Sequence, residues 1–432
     1  MIDASIYARR RATLLSRMQT GVAVIRTAPE QVRNRDAHYP YRFDSYFHYL
    51  SAFPEPEAVL VLVAGVETKA ILFCRDKNEE REVWDGFRYG PAAAREIFAV
   101  DEAYAIGNLD EQLVKLLANQ ATLFCDLGSD PLWDARVFSW INAVKTQARS
   151  GVSAPAHLID VRTLLDRMRV VKDEAELTTM RRAAQISSDA HRRAMQFARP
   201  GRHEYEVEAE LLHEFRSRGA QAPAYTSIVA GGANACVLHY VQNDAELKSG
   251  DLLLIDAGCE LDGYASDITR TFPVNGKYSA AQRDIYQLVL AAQSAAIAQV
   301  APGKEWEEPH RAAVKVLAQG MLDLRFLSGS VDAVIESGAY RKFYMHRTGH
   351  WLGLDVHDAG DYKHDGAWCT LEPGMVLTVE PGCYVRPGDD VPKEFWNIGI
   401  RIEDDAVVTA SGCEIFTSAP KLISDIETLM QR

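Results

Sequence analysis

Gly250-Asp251-Leu252-Leu253-Leu254-Ile255-Asp256-Ala257-Gly258 runs through Leu261-Asp262-Gly263 into Ser266-Asp267-Ile268-Thr269-Arg270-Thr271-Phe272. The aliphatic run Leu252 to Ile255 reads as a strand, Leu261-Asp262-Gly263 as a turn, and Ser266 to Phe272 as the returning strand of a hairpin. Side chains alternate between the faces of a strand, so Asp267, Thr269 and Thr271 share one face. Asp256 ends the first strand and lies within reach of Asp267 across the hairpin. Two carboxylates that close repel unless a cation or a proton sits between them.

Two more strands, Met375 to Glu380 and Ile398 to Asp404, follow a long helical region between Ala280 and Leu324. Glu380 ends the first of them before Pro381-Gly382. Glu403 is embedded in Gly399-Ile400-Arg401-Ile402, where an unpaired buried carboxylate is costly, and parity sets Arg401, Glu403 and Asp405 on one face. Before these strands comes His346-Arg347-Thr348-Gly349-His350-Trp351-Leu352-Gly353-Leu354-Asp355-Val356-His357-Asp358, three histidines among glycine and apolar residues. Any one of these acids alone reads more simply as a solvated strand end, and any one histidine as structural. Four acids and one histidine together form an oxygen-rich set suited to hard or borderline divalent ions such as Mn²⁺. Two bridging carboxylates would hold two ions about 3.5–4 Å apart, an arrangement that activates a shared water for hydrolysis.

With 432 residues, the chain exceeds a comfortable single core and is expected to form two units. Short β-rich runs at Gly21 to Ile25, Ala58 to Val63 and Ala70 to Phe73 make the first an α/β domain. The segment from Arg162 to Ala198 is helical in pattern, which sets the boundary at Arg169: residues 1–168, then 169–432. A helical stretch from Glu204 to Arg218 leads into the hairpin. The net charge of −13 argues against nucleic acid and against an anionic membrane surface as partners. Met1 to Thr20 reads as a first helix rather than a secretory signal, and the longest apolar run, Ala58 to Val66, falls far below the roughly 20 residues that span a bilayer. Seven scattered cysteines without a CxxC pair suit a reducing compartment, hence a cytoplasmic location.

Asp256-Ala257-Gly258, Gly263 through Pro273, His346 through His357, Glu372 through Gly382 and Gly399 through Asp404 resemble the motifs of the Xaa-Pro aminopeptidases (aminopeptidase P). Tyr39-Pro40-Tyr41-Arg42, Phe53 through Leu60 and Glu82-Val83-Trp84 resemble that family's amino-terminal part, so the likeness covers nearly the whole chain. It implies an α/β two-domain protein: an amino-terminal domain of the creatinase and aminopeptidase P type, then a pita-bread catalytic domain with a curved antiparallel sheet. It further implies a dinuclear centre, Mn²⁺ by family expectation with Zn²⁺ or Co²⁺ as alternatives. Asp267 and Glu403 would bridge both ions, Asp256 would complete one site, and His350 with Glu380 the other. A bound hydroxide would attack the carbonyl before proline, His239 and His357 would face that carbonyl, and Glu380 would shuttle the proton.

By the same resemblance His346 and Tyr225 form the wall for the proline ring, and Arg401 offsets the acidic charge. Tyr384 and Asp36 support the substrate side, and Trp84 closes a neighbouring subunit's site in a homo-oligomer, dimer or tetramer. One departure stands out: the loop from Tyr362 to Thr370 carries Trp368 and no arginine, where relatives use arginine to meet longer peptides. Prolidase shares the ligand set and stays open as an alternative, as does a binding protein that has lost its metals. Creatinase would not need all five ligands, and methionine aminopeptidase generally lacks so large a first domain.

Overall fold

The computed structural model describes residues 3–431. The chain divides into two compact units, one ending at Asp166 and one beginning at Arg167. Met1 and Ile2 of the expected first helix lie outside the described residues; Ala4–Met18 is helical, with Asp3 accepting from the Ser5 N–H as its cap.

The first unit is built on a six-stranded mixed sheet. Its order is Glu102–Ala105, Lys69–Cys74, Val59–Ala64, Gly21–Arg26, Thr122–Cys125 and His157–Asp160. The central strand Gly21–Arg26 runs antiparallel to Val59–Ala64 and parallel to Thr122–Cys125. Val22, Val24, Val61 and Ile71 pack with Leu113, Leu117, Val137 and Trp140 of the helices Leu109–Leu117 and Pro131–Lys145. The alternate residues Ala23, Leu60, Leu62 and Leu72 are fully buried as well. Burial on both faces explains why these strands read as unbroken apolar runs.

Every ladder in the second unit is antiparallel among the described residues. Long helices back them: Glu174–Phe197, Glu204–Ser217, Ala280–Ile297 and Glu308–Asp323. The helical segment expected over Arg162 to Ala198 breaks after Arg169. There Val171 bridges to Met375 and the Lys172 N–H donates to Gly374 O, and Asp173 with Glu176 forms a capping box that starts the next helix. The region from Ala280 to Leu324 likewise splits around Pro302-Gly303, where Gly303 takes φ +84°.

The hairpin forms with a correction that matters for the site. Leu252–Asp256 pairs with Thr269–Pro273, Asp256 opposite Thr269, so the returning strand starts at Thr269 rather than Ser266. A second small hairpin, Cys259–Leu261 with Tyr264–Ala265, forms the tip, and Asp267 sits in the irregular step between the two. Strand parity therefore does not orient Asp267. Proximity does: a Cβ on Gly258 would stand 1.7 Å from Ser266 O, so the chain just past Asp256 lies directly against the chain just before Asp267.

The last strand is interrupted too. Ile398–Arg401 pairs with Gly382–Val385, whereas Asp404–Val408 pairs with Val376–Val379. Ile402 and Glu403 occupy the step where the chain changes partners, so the expected alternation of Arg401, Glu403 and Asp405 does not run through. The Glu403 N–H instead donates to Thr269 O at 3.1 Å, fastening this step to the hairpin. Arg270, fully buried, locks the same junction by donating to Thr269 O at 2.9 Å, to Glu403 O at 2.5 Å and to Asp404 Oδ1 at 2.6 Å.

Gly258→Ala is expected to lower the thermal midpoint, because the added methyl meets backbone rather than a flexible side chain. At about 1–3 kcal/mol for forced overpacking, the fall is roughly 2–10 °C in a scanning calorimetry trace. An unchanged midpoint would contradict the close approach.

Candidate metal centre

Ends and interruptions of strands deliver the acidic side chains to one cavity of about 920 Å³. Asp256 comes from a strand end, Asp267 and Glu403 from the two steps just described, and Glu380 from the residue after Val376–Val379. His350 arrives from the loop before that strand. Its backbone is pinned by mutual bonds with Thr378: His350 N to Thr378 Oγ1 at 3.1 Å and Thr378 N to His350 O at 3.0 Å. Gly349 makes the approach possible, since a Cβ there would lie 2.1 Å from Thr378 O.

Asp267, His350 and Glu403 each offer a ligand atom within 4.8 Å of the others. His350 Nε2 lies 3.5 Å from Asp267 Oδ2 and 3.8 Å from Glu380 Oε1, and its Nδ1 faces Trp351 O at 3.0 Å. An Nδ1–H donated to that carbonyl leaves the Nε2 lone pair free toward the acids. Asp256 joins the group through Tyr225, whose hydroxyl lies 2.6 Å from Asp256 Oδ1 and 2.5 Å from Asp267 Oδ1. A phenol has one proton to give, so the other contact needs a protonated carboxyl, or a cation in its place. Thr269 Oγ1 donates to Glu403 Oε2 at 2.6 Å, and the Asp267 N–H donates to Asp405 Oδ2 at 3.1 Å.

The electrostatics point the same way. Burial and the neighbouring Asp256 push the Asp267 carboxyl above its ordinary value, and burial with Asp267 and Glu380 pushes Glu403 far above. Burial raises Glu380 to about 7 although His350 and Arg401 pull it down. Burial would lower His350, but its contact with Asp267 and the charge on Glu380 override that and raise it to about 9. Asp256 is the exception: against its burial, Arg401 and the Tyr225 bond hold it below normal. Arg401 donates to Asp256 Oδ2 at 2.6 Å. The charge of Arg401, spent on Asp256, does not balance Asp267, Glu380 and Glu403, so this part of the wall takes up either protons or cations, and the donor set fits hard or borderline divalent ions.

A second group surrounds that wall. Arg401 Nη1 donates to the Tyr384 hydroxyl at 2.9 Å, which stands 2.9 Å from His346 Nε2, while His346 Nδ1 faces Arg347 O at 2.7 Å. Burial and the charge of Arg401 lower His346 to about 3, so the ring is neutral and the relay runs from Arg401 through Tyr384 to His346. Tyr384, expected on the substrate side, is 1% exposed and acts from behind His346 and Arg401. His239 and His357 are exposed on the cavity wall with Tyr225 and His346. His357 packs edge-on against His350 at 4.4 Å between ring centroids; burial and the charges of His350 and His239 lower it.

Asp36 and Trp84 belong to the first unit. Asp36 is exposed in the turn between Val32–Asn34 and Ala37–His38, and Trp84 is 80% exposed on the helix Glu79–Asp85. The arginine-free loop forms the hairpin Lys363–His364 with Ala367–Trp368. The Arg347 guanidinium lies 5.1 Å from the Trp368 ring and the Lys363 ammonium 4.0 Å from it. Positive charge thus reaches this rim from beside His346 and from Lys363.

Several contributors escaped the sequence reading. Trp306 and Tyr362, with ring centroids 4.8 Å apart, give the cavity an aromatic side. Asp358, next to His357, accepts from Arg169 Nη2 at 2.5 Å and Lys172 Nζ at 2.9 Å, all three side chains 1% exposed. Nothing local marks Asp358, because its partners lie far back in the chain.

Residues 178–410 match the model of metallopeptidase family M24, and residues 7–124 match the aminopeptidase P amino-terminal domain. The chain is 45% identical to the Xaa-Pro aminopeptidase of Escherichia coli (strain K12), covering 99% of this chain and 98% of that one. It is 36% identical to Xaa-Pro aminopeptidase 3 of Rattus norvegicus, over 95% and 80%. Among solved structures, the Pseudomonas aeruginosa aminopeptidase PepP superposes with a TM-score of 0.98 at 49% identity, over 99% and 98%. Zn-substituted Escherichia coli aminopeptidase P in complex with product gives 0.97 at 44%, over 99% and 98%.

Because Glu380 and His350 titrate above their ordinary values, each stabilises the metal-free fold at low pH and ceases to as pH rises. The Glu380 contribution fades from its ordinary 4.5 through about 7, and that of His350 from 6.5 through about 9. Ligands must also shed protons to bind metal. The rise in thermal midpoint on adding Mn²⁺ is therefore expected to be larger at pH 8 than at pH 5.5 in a thermal-shift titration. An equal or smaller rise at pH 8 would contradict this electrostatic picture.

Proposed function

As a member of metallopeptidase family M24 with the two-domain, pita-bread architecture of the Xaa-Pro aminopeptidases, the chain is a metallopeptidase, and we propose that it releases the first residue from peptides whose second residue is proline. The convergence of Asp267, His350 and Glu403 within 4.8 Å carries the reading. Asp256, Asp267, His350, Glu380 and Glu403 would hold two divalent ions, Mn²⁺ by family expectation, with Asp267 and Glu403 shared between them. Bound there, the ions supply Lewis acidity that lowers the pKa of a water to be used as nucleophile and a positive field for the substrate's free amine.

The remaining roles belong to side chains. Glu380, on the cavity wall with an oxygen 3.8 Å from His350 Nε2, would take a proton and return it to the prolyl nitrogen. His239 and His357 face the cavity and would donate to the carbonyl oxygen as charge builds on it. His346, held neutral, presents an aromatic edge to the proline ring beside Tyr225. Trp306 and Tyr362 keep that side of the cavity apolar.

Prolidase activity is not favoured, since the Escherichia coli relative, matched over nearly its full length, is an Xaa-Pro aminopeptidase. The exposed Val83, Trp84 and Phe87 support a homo-oligomer in which that patch is covered. Seven free thiols support a cytoplasmic location. No helix among the described residues is long and apolar enough to cross a membrane.

With Mn²⁺ supplied, the protein is expected to cleave Arg-Pro-Pro between arginine and proline; hydrolysis of dipeptides alone would sink the aminopeptidase reading. His357→Ala should keep its metal by elemental analysis and lower kcat by about 10²–10³-fold, as when one donor to a developing oxyanion is lost. Metal loss in that variant would contradict the separation of roles.

A further inference from the structure

Glu204 opens the helix Glu204–Ser217 and has no exposed surface. An acid in a first turn ordinarily faces solvent at the positive end of the helix. Here the carboxylate gathers four donors. Gly231 N at 2.7 Å and Asn234 Nδ2 at 3.1 Å reach Oε1, while the Tyr240 hydroxyl at 2.8 Å and Ala245 N at 3.0 Å reach Oε2. The Glu204 N–H returns a bond to Ala245 O at 3.0 Å. A carboxylate has about four acceptor positions, so this one is saturated, and by neutral groups.

All four donors come from residues 231–245, the stretch that carries His239. The His239 side chain makes no hydrogen bond to protein among the described residues and is exposed on the cavity wall. Its aim is therefore set by where the backbone runs. Other bonds complete the frame: Asn243 accepts from Val229 N at 3.0 Å and donates to Ser227 O at 2.8 Å, and Arg386 Nη2 donates to Cys236 O at 2.8 Å. Within that frame the Glu204 carboxylate ties together residues on both sides of His239.

We infer that Glu204 is the positioning residue for His239, its buried carboxylate holding the 231–245 stretch so that the imidazole meets the substrate carbonyl. The inference rests on the role proposed above for His239. Its chemistry explains why a carboxylate is used. A glutamine turns one oxygen into an NH₂ group that confronts two of the four donors. The Tyr240 hydroxyl can rotate to accept, but a backbone N–H cannot, so at least one buried donor is stranded.

A double-mutant cycle on the Mn²⁺-loaded enzyme tests this, with kcat, KM, bound metal and thermal midpoint measured for Glu204→Gln, His239→Ala and the pair. His239→Ala is expected to lower kcat with metal retained. Glu204→Gln should lower kcat by about tenfold or more with KM and metal content near wild type, as misplacing a catalytic group does. The pair should be no slower than His239→Ala alone, because a misaimed group that is absent has nothing further to lose. If Glu204→Gln does not fold, Tyr240→Phe, which removes one donor, should show the same kcat-only loss at about two- to fivefold and the same non-additivity. An unchanged kcat in the variant that folds, independent losses in the pair, or loss of metal would overturn the positioning role while leaving that of His239 intact. A normal kcat in His239→Ala would instead overturn the role of His239 and this inference with it.

Discussion

Mutual repulsion among buried carboxylates is the constraint from which the second unit takes its shape. Asp256, Asp267, Glu380 and Glu403 line one cavity, with Asp405 directly behind Asp267, and the Arg401 guanidinium bonds Asp256. Burial pushes Asp267, Glu380, Glu403 and Asp405 upward in pKa, so without metal the cluster is expected to hold protons. A fold that spends stability this way has a use for cations.

The scaffold concentrates the acids by interrupting its own strands. Both Asp267 and Glu403 stand at steps where a ladder changes partner, which frees their side chains from strict alternation and turns them to a common point. The steps are held from behind by a second ionic network. Asp404 accepts from Arg270 at 2.6 Å, Thr417 at 2.7 Å, Gln293 at 3.0 Å and Lys421 at 2.5 Å. Asp404 thus stays below its ordinary pKa despite its burial, through Arg270 and Lys421, whereas adjacent Asp405 is raised by burial and Asp267. Two neighbouring aspartates thus face opposite surroundings, one among cations and one directly behind the Asp267 carboxyl. The histidines divide in the same manner: His350 is drawn toward the charged form by the acids, and His346 is kept neutral by burial and Arg401.

Much of this was legible in the order of residues. The hairpin, the strand before Pro381-Gly382, the two-domain α/β plan and the grouping of acids around His350 follow from apolar runs, turn residues and motif resemblance. What parity could not supply was the pair of steps at Asp267 and Glu403, because a break in a ladder depends on which strand lies alongside. Gly258 and Gly349 carry the information, but a glycine shows what it permits only once its neighbour is known. The buried anchors Glu204 and Asp358 were missed for a similar reason: a surface-type residue in a helix start or a loop reveals its burial through partners distant in sequence. Arg347 and Lys363 beside Trp368 show the same effect, since charge absent from one loop position arrives from others.

Anomalous diffraction at the manganese absorption edge, on crystals grown with Mn²⁺, is the sharpest test of whether Asp256, Asp267, His350, Glu380 and Glu403 surround two cations. Two peaks about 3.5–4 Å apart are expected, with carboxylate oxygens of Asp267 and Glu403 in contact with both. A single peak, or peaks away from Asp267, His350 and Glu403, would contradict that arrangement.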